Sequence, residues 1–242
     1  MKKVLYTTTA IAFLGVMFVN TNANAKVSEV REKYYVQGDV GIAIPGHKKE
    51  VDIGRKKITK KGDNSFQYNI GGGYIFTDNV RVGLHFAQIT DLDYKGHTTL
   101  GTNDEMSATY KQKIKSDLFM LNGYYDFATC HKFTPYVGLG AGMSTIRPGN
   151  LNVVFHDSAG RIVGHVKKSN NFAFNLITGL NLPLNDKFSV DFNYKYTYLG
   201  KGKGANRYVQ YVGDTSHHET TVPVKKYTLD AHNLSLGLRY EF

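Results

Sequence analysis

The sequence has no tryptophan, one cysteine and five prolines among its 242 residues. The single thiol, Cys130, excludes an intramolecular disulfide, so no covalent staple holds the fold. Few prolines leave room for long uninterrupted strands. Long apolar runs are also missing: the longest, from Ala10 to Val19, is half the ~20 residues that a helix needs to cross hydrocarbon. It follows Lys2 and Lys3 and precedes Ala23-Asn24-Ala25, the layout of a secretory signal peptide. Residues 1–25 are therefore expected to be removed, leaving 26–242 as one mature domain. What the sequence does have is 25 glycines, 17 tyrosines, 14 phenylalanines and a net charge of +10. That composition suits β-structure, and the length suits one large barrel or sandwich.

The closing stretch NLSLGLRYEF alternates Leu234, Leu236, Leu238, Tyr240 and Phe242 with Ser235, Gly237, Arg239 and Glu241. Side chains of a strand point alternately to opposite faces, so one face is apolar and the other polar. Seven further segments repeat the pattern: YYVQGDVGIAI, FQYNIGGGYIF, VRVGLHF, DLFMLNGYYDF, YVGLGAGMS, NFAFNLITGLNL and FSVDFNYKYTY. The fourth is ambiguous, because both of its faces are apolar near Leu118.

The connections come in two kinds. Those after the second, fourth and sixth strands are short, Thr77-Asp78-Asn79, Ala128 to Lys132 and Asn185-Asp186-Lys187, whereas the other four are long and polar. A soluble sheet would bury the apolar faces and expose the polar ones. Those polar faces hold Gly71 to Gly73 and the run from Gly138 to Gly142, and glycine weakens a strand exposed to water. Inside a narrow barrel the same glycines make room for large neighbours. The expected fold is an all-β, eight-stranded antiparallel up-and-down transmembrane β-barrel with short periplasmic turns and four long extracellular loops. Its lumen should be filled by Asp39, Arg81, His85, Asp126, Asp191, Lys195, Arg239 and Glu241, paired with one another, since unpaired buried charge is costly.

The signal peptide, the eight alternating strands and the ending Arg239-Tyr240-Glu241-Phe242 resemble the small outer-membrane β-barrels of Gram-negative bacteria, of the Opa, OmpA and OmpX type. LFMLNGYYDF, FTPYVGLGAGMS and HNLSLGLRYEF are most similar to rickettsial adhesins. The resemblance implies a bacterial outer-membrane location with loops at the cell surface. It also implies recognition of Tyr240 and Phe242 by the outer-membrane assembly machinery, and it implies no catalytic residues and no cofactor.

Function is then expected in the loops. Loop one sets Lys48, Lys49, Arg55, Lys56, Lys57, Lys60 and Lys61 against three acids. Loop three offers Arg161, Lys167 and Lys168, and its runs LNVVFH and RIVGHV around Asp157-Ser158-Ala159-Gly160 are expected to extend the third hairpin beyond the membrane, with edges that a partner could pair with. Loop four offers Lys201, Lys203 and Arg207, and its Gly200, Gly202 and Gly204 mark it as the more mobile. Such loops attract polyanions and acidic partners. The leading expectation is an adhesin, monomeric, set in outer-membrane lipid and binding host-surface, matrix or serum components or polyanionic glycans. The alternative is a structural protein that stabilises the envelope without a specific ligand. Nucleic acid is not expected as a partner, because the loops lack interleaved stacking aromatics. An open pore conflicts with a bore filled by side chains. The enzyme-like clusters are His156-Asp157-Ser158, His217-His218-Glu219 and Cys130-His131. Consecutive residues cannot take up triad geometry, the histidine pair lacks a third ligand, and a lone thiol is not a site, so no metal and no enzyme activity are expected.

Overall fold

Period-two alternation organises the described residues into antiparallel strands. In the computed structural model the described residues are 33–46, 61–100, 106–128, 132–156, 160–205, 207–212, 215–221 and 226–242. They form thirteen strands: β1 (Lys33–Pro45), β2 (Lys61–Gly62), β3 (Ser65–Ile75), β4 (Val80–Leu100), β5 (Met106–Asp126), β6 (Thr134–Pro148), β7 (Leu151–Phe155), β8 (Gly160–His165), β9 (Ser169–Pro183), β10 (Phe188–Lys203), β11 (Arg207–Val212), β12 (Thr215–Thr221) and β13 (Lys226–Glu241). Eight of them close a ring in the order β1, β3, β4, β5, β6, β9, β10 and β13, with β13 pairing back onto β1. This is the expected closed antiparallel barrel. The segment 1–25 lies outside the described residues.

The two faces of each barrel strand meet different surroundings. Tyr34, Ile70, Leu139, Phe172 and Leu236 stand exposed on the outside, as do most other apolar residues of their rows. On the inside Asp39, Arg81, Asp191 and Asn233 are almost fully buried. A water-soluble sheet has this arrangement reversed. The periplasmic turns are tied by their own side chains: the Thr77 hydroxyl accepts from the amides of Asn79 and Val80 at 3.2 and 3.0 Å. Asn185 does the same for Lys187 and Phe188, both at 2.9 Å.

The long links differ from the expected loops. β4 and β5 are 21 residues each and stay paired up to Leu100 opposite Met106, so most of loop two is a strand hairpin. β6 breaks at Pro148, which cannot donate to the ladder, and β7 resumes the pairing along β5. Loop three is the expected hairpin, β7 with β8. Its edges, however, are both covered, by β5 and by β11. Loop four, read from its glycines as mobile, contributes β11 and β12 instead, because Tyr208, Val209, Tyr211 and Val212 are strand-forming residues. A side sheet in the order β12, β11, β8, β7, β5 and β4 thus rises above the barrel.

The ambiguity at Leu118 has a structural cause. Below that level β5 is apolar outside (Phe119, Leu121, Tyr125) and carries Asn122, Tyr124 and Asp126 inside; above it Lys111, Lys113 and Lys115 face out and Ile114 faces in. Polarity inverts where the strand leaves the membrane. Leu118 and Met120 join Ala43, Ile89, Leu92, Ile114, Ile146, Leu199 and Leu229 in an apolar cluster that fills the outer end of the lumen.

An arginine on the apolar outer face should be costly in proportion to its depth. Leu236→Arg, in the middle of the lipid-facing band, is expected to lower stability in lipid vesicles by about 2–4 kcal/mol, and Val80→Arg, next to the periplasmic turn, by at most about 1. Urea-induced unfolding from vesicles measures both.

Candidate functional site

The lumen is built in storeys. At the periplasmic end β4 carries Arg81 inward, and the barrel wall surrounds it with tyrosines from β1, β5 and β6. The Arg81 guanidinium lies 3.9 Å from the ring centre of Tyr124, 4.7 Å from that of Tyr136 and 5.8 Å from that of Tyr35. Its Nε is 2.9 Å from the Asp126 carboxylate, its direct counterion in the cage. Desolvated cation–π contacts of this kind contribute about 2 kcal/mol or more. Glycines on adjacent strands make room for the rings: a Cβ at Gly138 would stand 2.7 Å from Tyr124, and one at Gly179 2.5 Å from Tyr136.

The next storey is a hydrogen-bond network. Tyr136 donates to Asp191 at 2.5 Å and Asn193 donates to the same oxygen at 3.2 Å. Lys195 is 3.5 Å from Asp39, which also accepts from Asn69 at 2.5 Å. His85 bridges Asn69 at 3.3 Å and Tyr124 at 3.2 Å. Arg239 is 3.3 Å from Glu241. All eight expected lumenal residues therefore face inward, but they do not simply pair with one another. Asp191 is held by a phenol and an amide rather than by a cation, and His85 by neutral groups. The three caging tyrosines have no linear signature beyond their place on the polar face. A void of about 20 Å³ among Asn69, His85, Asn175, Lys195 and Asn233 has room for about one water, and the apolar cluster closes the lumen above it.

The surface-loop residues are more dispersed. Arg161 on β8 is exposed, with its guanidinium 4.8 Å from the ring centre of Tyr211, its register partner on β11. Arg207 is also exposed and holds Glu219 in a double contact, at 2.5 and 2.8 Å, which raises its pKa further. Its charge is largely spoken for. Lys167, Lys168 and Lys201 are exposed, and Lys203 is half-buried. Nearby, burial beside the apolar cluster pushes the Tyr227 phenol up to about 12. Lys48, Lys49, Arg55, Lys56, Lys57 and Lys60 lie outside the described residues, and Lys61 pairs with Lys95 along the backbone of β2. Of the enzyme-like clusters, His156 meets the Thr109 hydroxyl at 2.7 Å, and Asp157, Ser158, Cys130 and His131 lie outside the described residues. At the chain's end the Phe242 amide donates to the Tyr34 carbonyl at 2.9 Å, and the Phe242 ring is exposed.

Removing the counterion from the Arg81 cage should be severe. Asp126→Ala is expected to destabilise the barrel by about 3–5 kcal/mol, and adding Arg81→Met should recover most of the loss, since no buried charge then remains unpaired. Urea titration in vesicles measures both variants.

A family model described as the outer membrane protein beta-barrel domain matches residues 10–242. Outer membrane protein PagN of Salmonella typhimurium is 24% identical over 228 residues, covering 89% of this chain and 92% of PagN. "Putative adhesin RC1281" of Rickettsia conorii is 25% identical, with both chains covered in full. Among solved structures, Neisserial surface protein A superposes with a TM-score of 0.45 at 17% identity, covering 86% of this chain and 97% of that one. The chain belongs to the outer membrane protein beta-barrel family and resides in the bacterial outer membrane with its loops at the cell surface.

Proposed function

We propose that the protein is an adhesin whose basic outer loops bind polyanionic components of a host surface. The observation that carries this reading is the side sheet of β12, β11, β8, β7, β5 and β4, a firm platform projecting from a closed barrel. A plugged lumen leaves the outside of the molecule as its working surface. The platform and the links beside it hold Arg161, Lys167, Lys168 and Lys201 exposed, where their charges attract a polyanion. Loop one adds the densest cationic stretch of the sequence, Lys48 to Lys61. Relatives from Rickettsia conorii and Rickettsia massiliae carry "adhesin" in their names, which agrees with this role.

In the same reading the protein is a binder rather than an enzyme. Its mature part begins at Lys26, and Tyr240 and Phe242 are the residues that the outer-membrane assembly machinery grips. The exposed Phe242 ring at the periplasmic end suits that contact.

Display of the barrel on non-adherent bacteria tests the adhesin reading. Deleting residues 48–61 together with Arg161→Glu, Lys167→Glu and Lys168→Glu should cut attachment to host cells at least about tenfold, and raised salt should weaken the parent in the same direction. Attachment that is unchanged in the combined variant overturns the reading and leaves an envelope-stabilising role.

A further inference from the structure

The outward face of β5 reads, from the membrane upward, Tyr125, Gly123, Leu121, Phe119, Asp117, Lys115, Lys113 and Lys111. The neighbouring face of β6 runs Val137, Leu139, Ala141, Met143, Thr145 and Arg147. Lys115 stands opposite Arg147 in the register. Two adjacent strands thus present a continuous apolar strip with a cluster of four cations directly above its last lipid-facing residues, Phe119 and Met143. Successive lysines of one strand face stand ~7 Å apart, so the cluster spans a headgroup rather than a single ion.

The local acids hold this row open. A bulge in β4 between Ile89 and Leu92 turns Asp91 into a positive φ of 35° and sets its carboxylate between Lys113 and Lys115, at 3.6 and 3.8 Å. Asp117 pairs with Arg147. Four cations face three acids, Asp91, Asp117 and Asp93, the last opposite Lys113 in the register, and a positive excess of one charge remains. The Asp91 pairs are long and solvent-exposed, so they hold weakly and can give way to a stronger anion. The row is one-sided: at a similar height β13 presents His232 and Asp230.

We infer that Lys111, Lys113, Lys115 and Arg147 form a seat for the phosphates of an outer-leaflet glycolipid, whose acyl chains lie on the strip below. The two-part surface selects this occupant. A soluble polyanion would use the cations but not Leu121, Phe119, Leu139 and Met143, whereas a phosphorylated amphiphile uses both. The seat is independent of the adhesin reading, because it lies on the flank of the barrel and uses none of the cations assigned to adhesion.

The test is reconstitution of the full chain in phosphatidylcholine nanodiscs doped with either phosphorylated lipid A or the same lipid A stripped of phosphate. The lipid retained per barrel is counted by native mass spectrometry. Phosphorylated lipid A should be retained at least about tenfold better than the stripped form, and Lys113→Gln, Lys115→Gln and Arg147→Gln should each lower retention about fivefold. Lys113→Arg with Lys115→Arg should keep it, and Lys132→Gln with Lys187→Gln, at the periplasmic end, should leave it unchanged. Circular dichroism confirms that each variant is folded before it is scored. Equal retention of the two lipids overturns the inference, as does wild-type retention in the three glutamine variants. So does heparin in solution binding the row while lipid A does not.

Discussion

Hydrocarbon offers a peptide group nothing to hydrogen-bond with, so a sheet can cross a membrane only if it has no free edge. Here that constraint is met where β13 pairs with β1, from Tyr35 opposite Glu241 to Pro45 opposite Ala231. The remaining features follow. A ring of eight strands has an interior just wide enough for side chains, so the inward row must fill it and satisfy its own polar atoms. The Arg81 cage fills it with three tyrosines and one carboxylate, and the glycines across from the rings supply the space that a narrow bore denies.

The strands do not serve one solvent along their whole length. β5 begins at its periplasmic end as a membrane strand and ends as a soluble one, with the change at Asp117 and Leu118. Hydrocarbon outside demands apolar side chains there, and water outside removes that demand. The lumen then no longer needs to be polar and becomes a conventional apolar core of Leu118, Ile114, Ile146 and Leu229. This cluster closes the bore, and β4 and β5, which supply Ile89, Leu92, Ile114, Leu118 and Met120 to it, continue upward into the side sheet.

The barrel was legible because alternation with a period of two survives in any single strand, as NLSLGLRYEF shows, and because the turns at Thr77–Asn79 and Asn185–Lys187 are short enough to fix the direction of travel. At Leu118 a single-period reading fails, since the strand changes solvent in mid-course. The outer hairpins were only half visible. LNVVFH and RIVGHV announce a hairpin, but that β8 pairs with β11 depends on a contact between distant segments. The lumenal charges could be named one by one, because each sits on a polar face. Their partners could not, since Arg81 draws its cage from three other strands and Asp191 takes a phenol in place of a cation.

The junction of β1 and β13 also sets the order of events in assembly. The first and last strands of the barrel are neighbours, so the ring cannot shut until the final segment has been synthesised and delivered. Every earlier state has two open edges and an apolar rim. Contacts so distant along the chain form slowly. The exported polypeptide therefore carries unpaired edges until its last strand arrives. A truncation that removes β13 cannot yield a slightly weakened barrel; it leaves a sheet with no way to shed its edges.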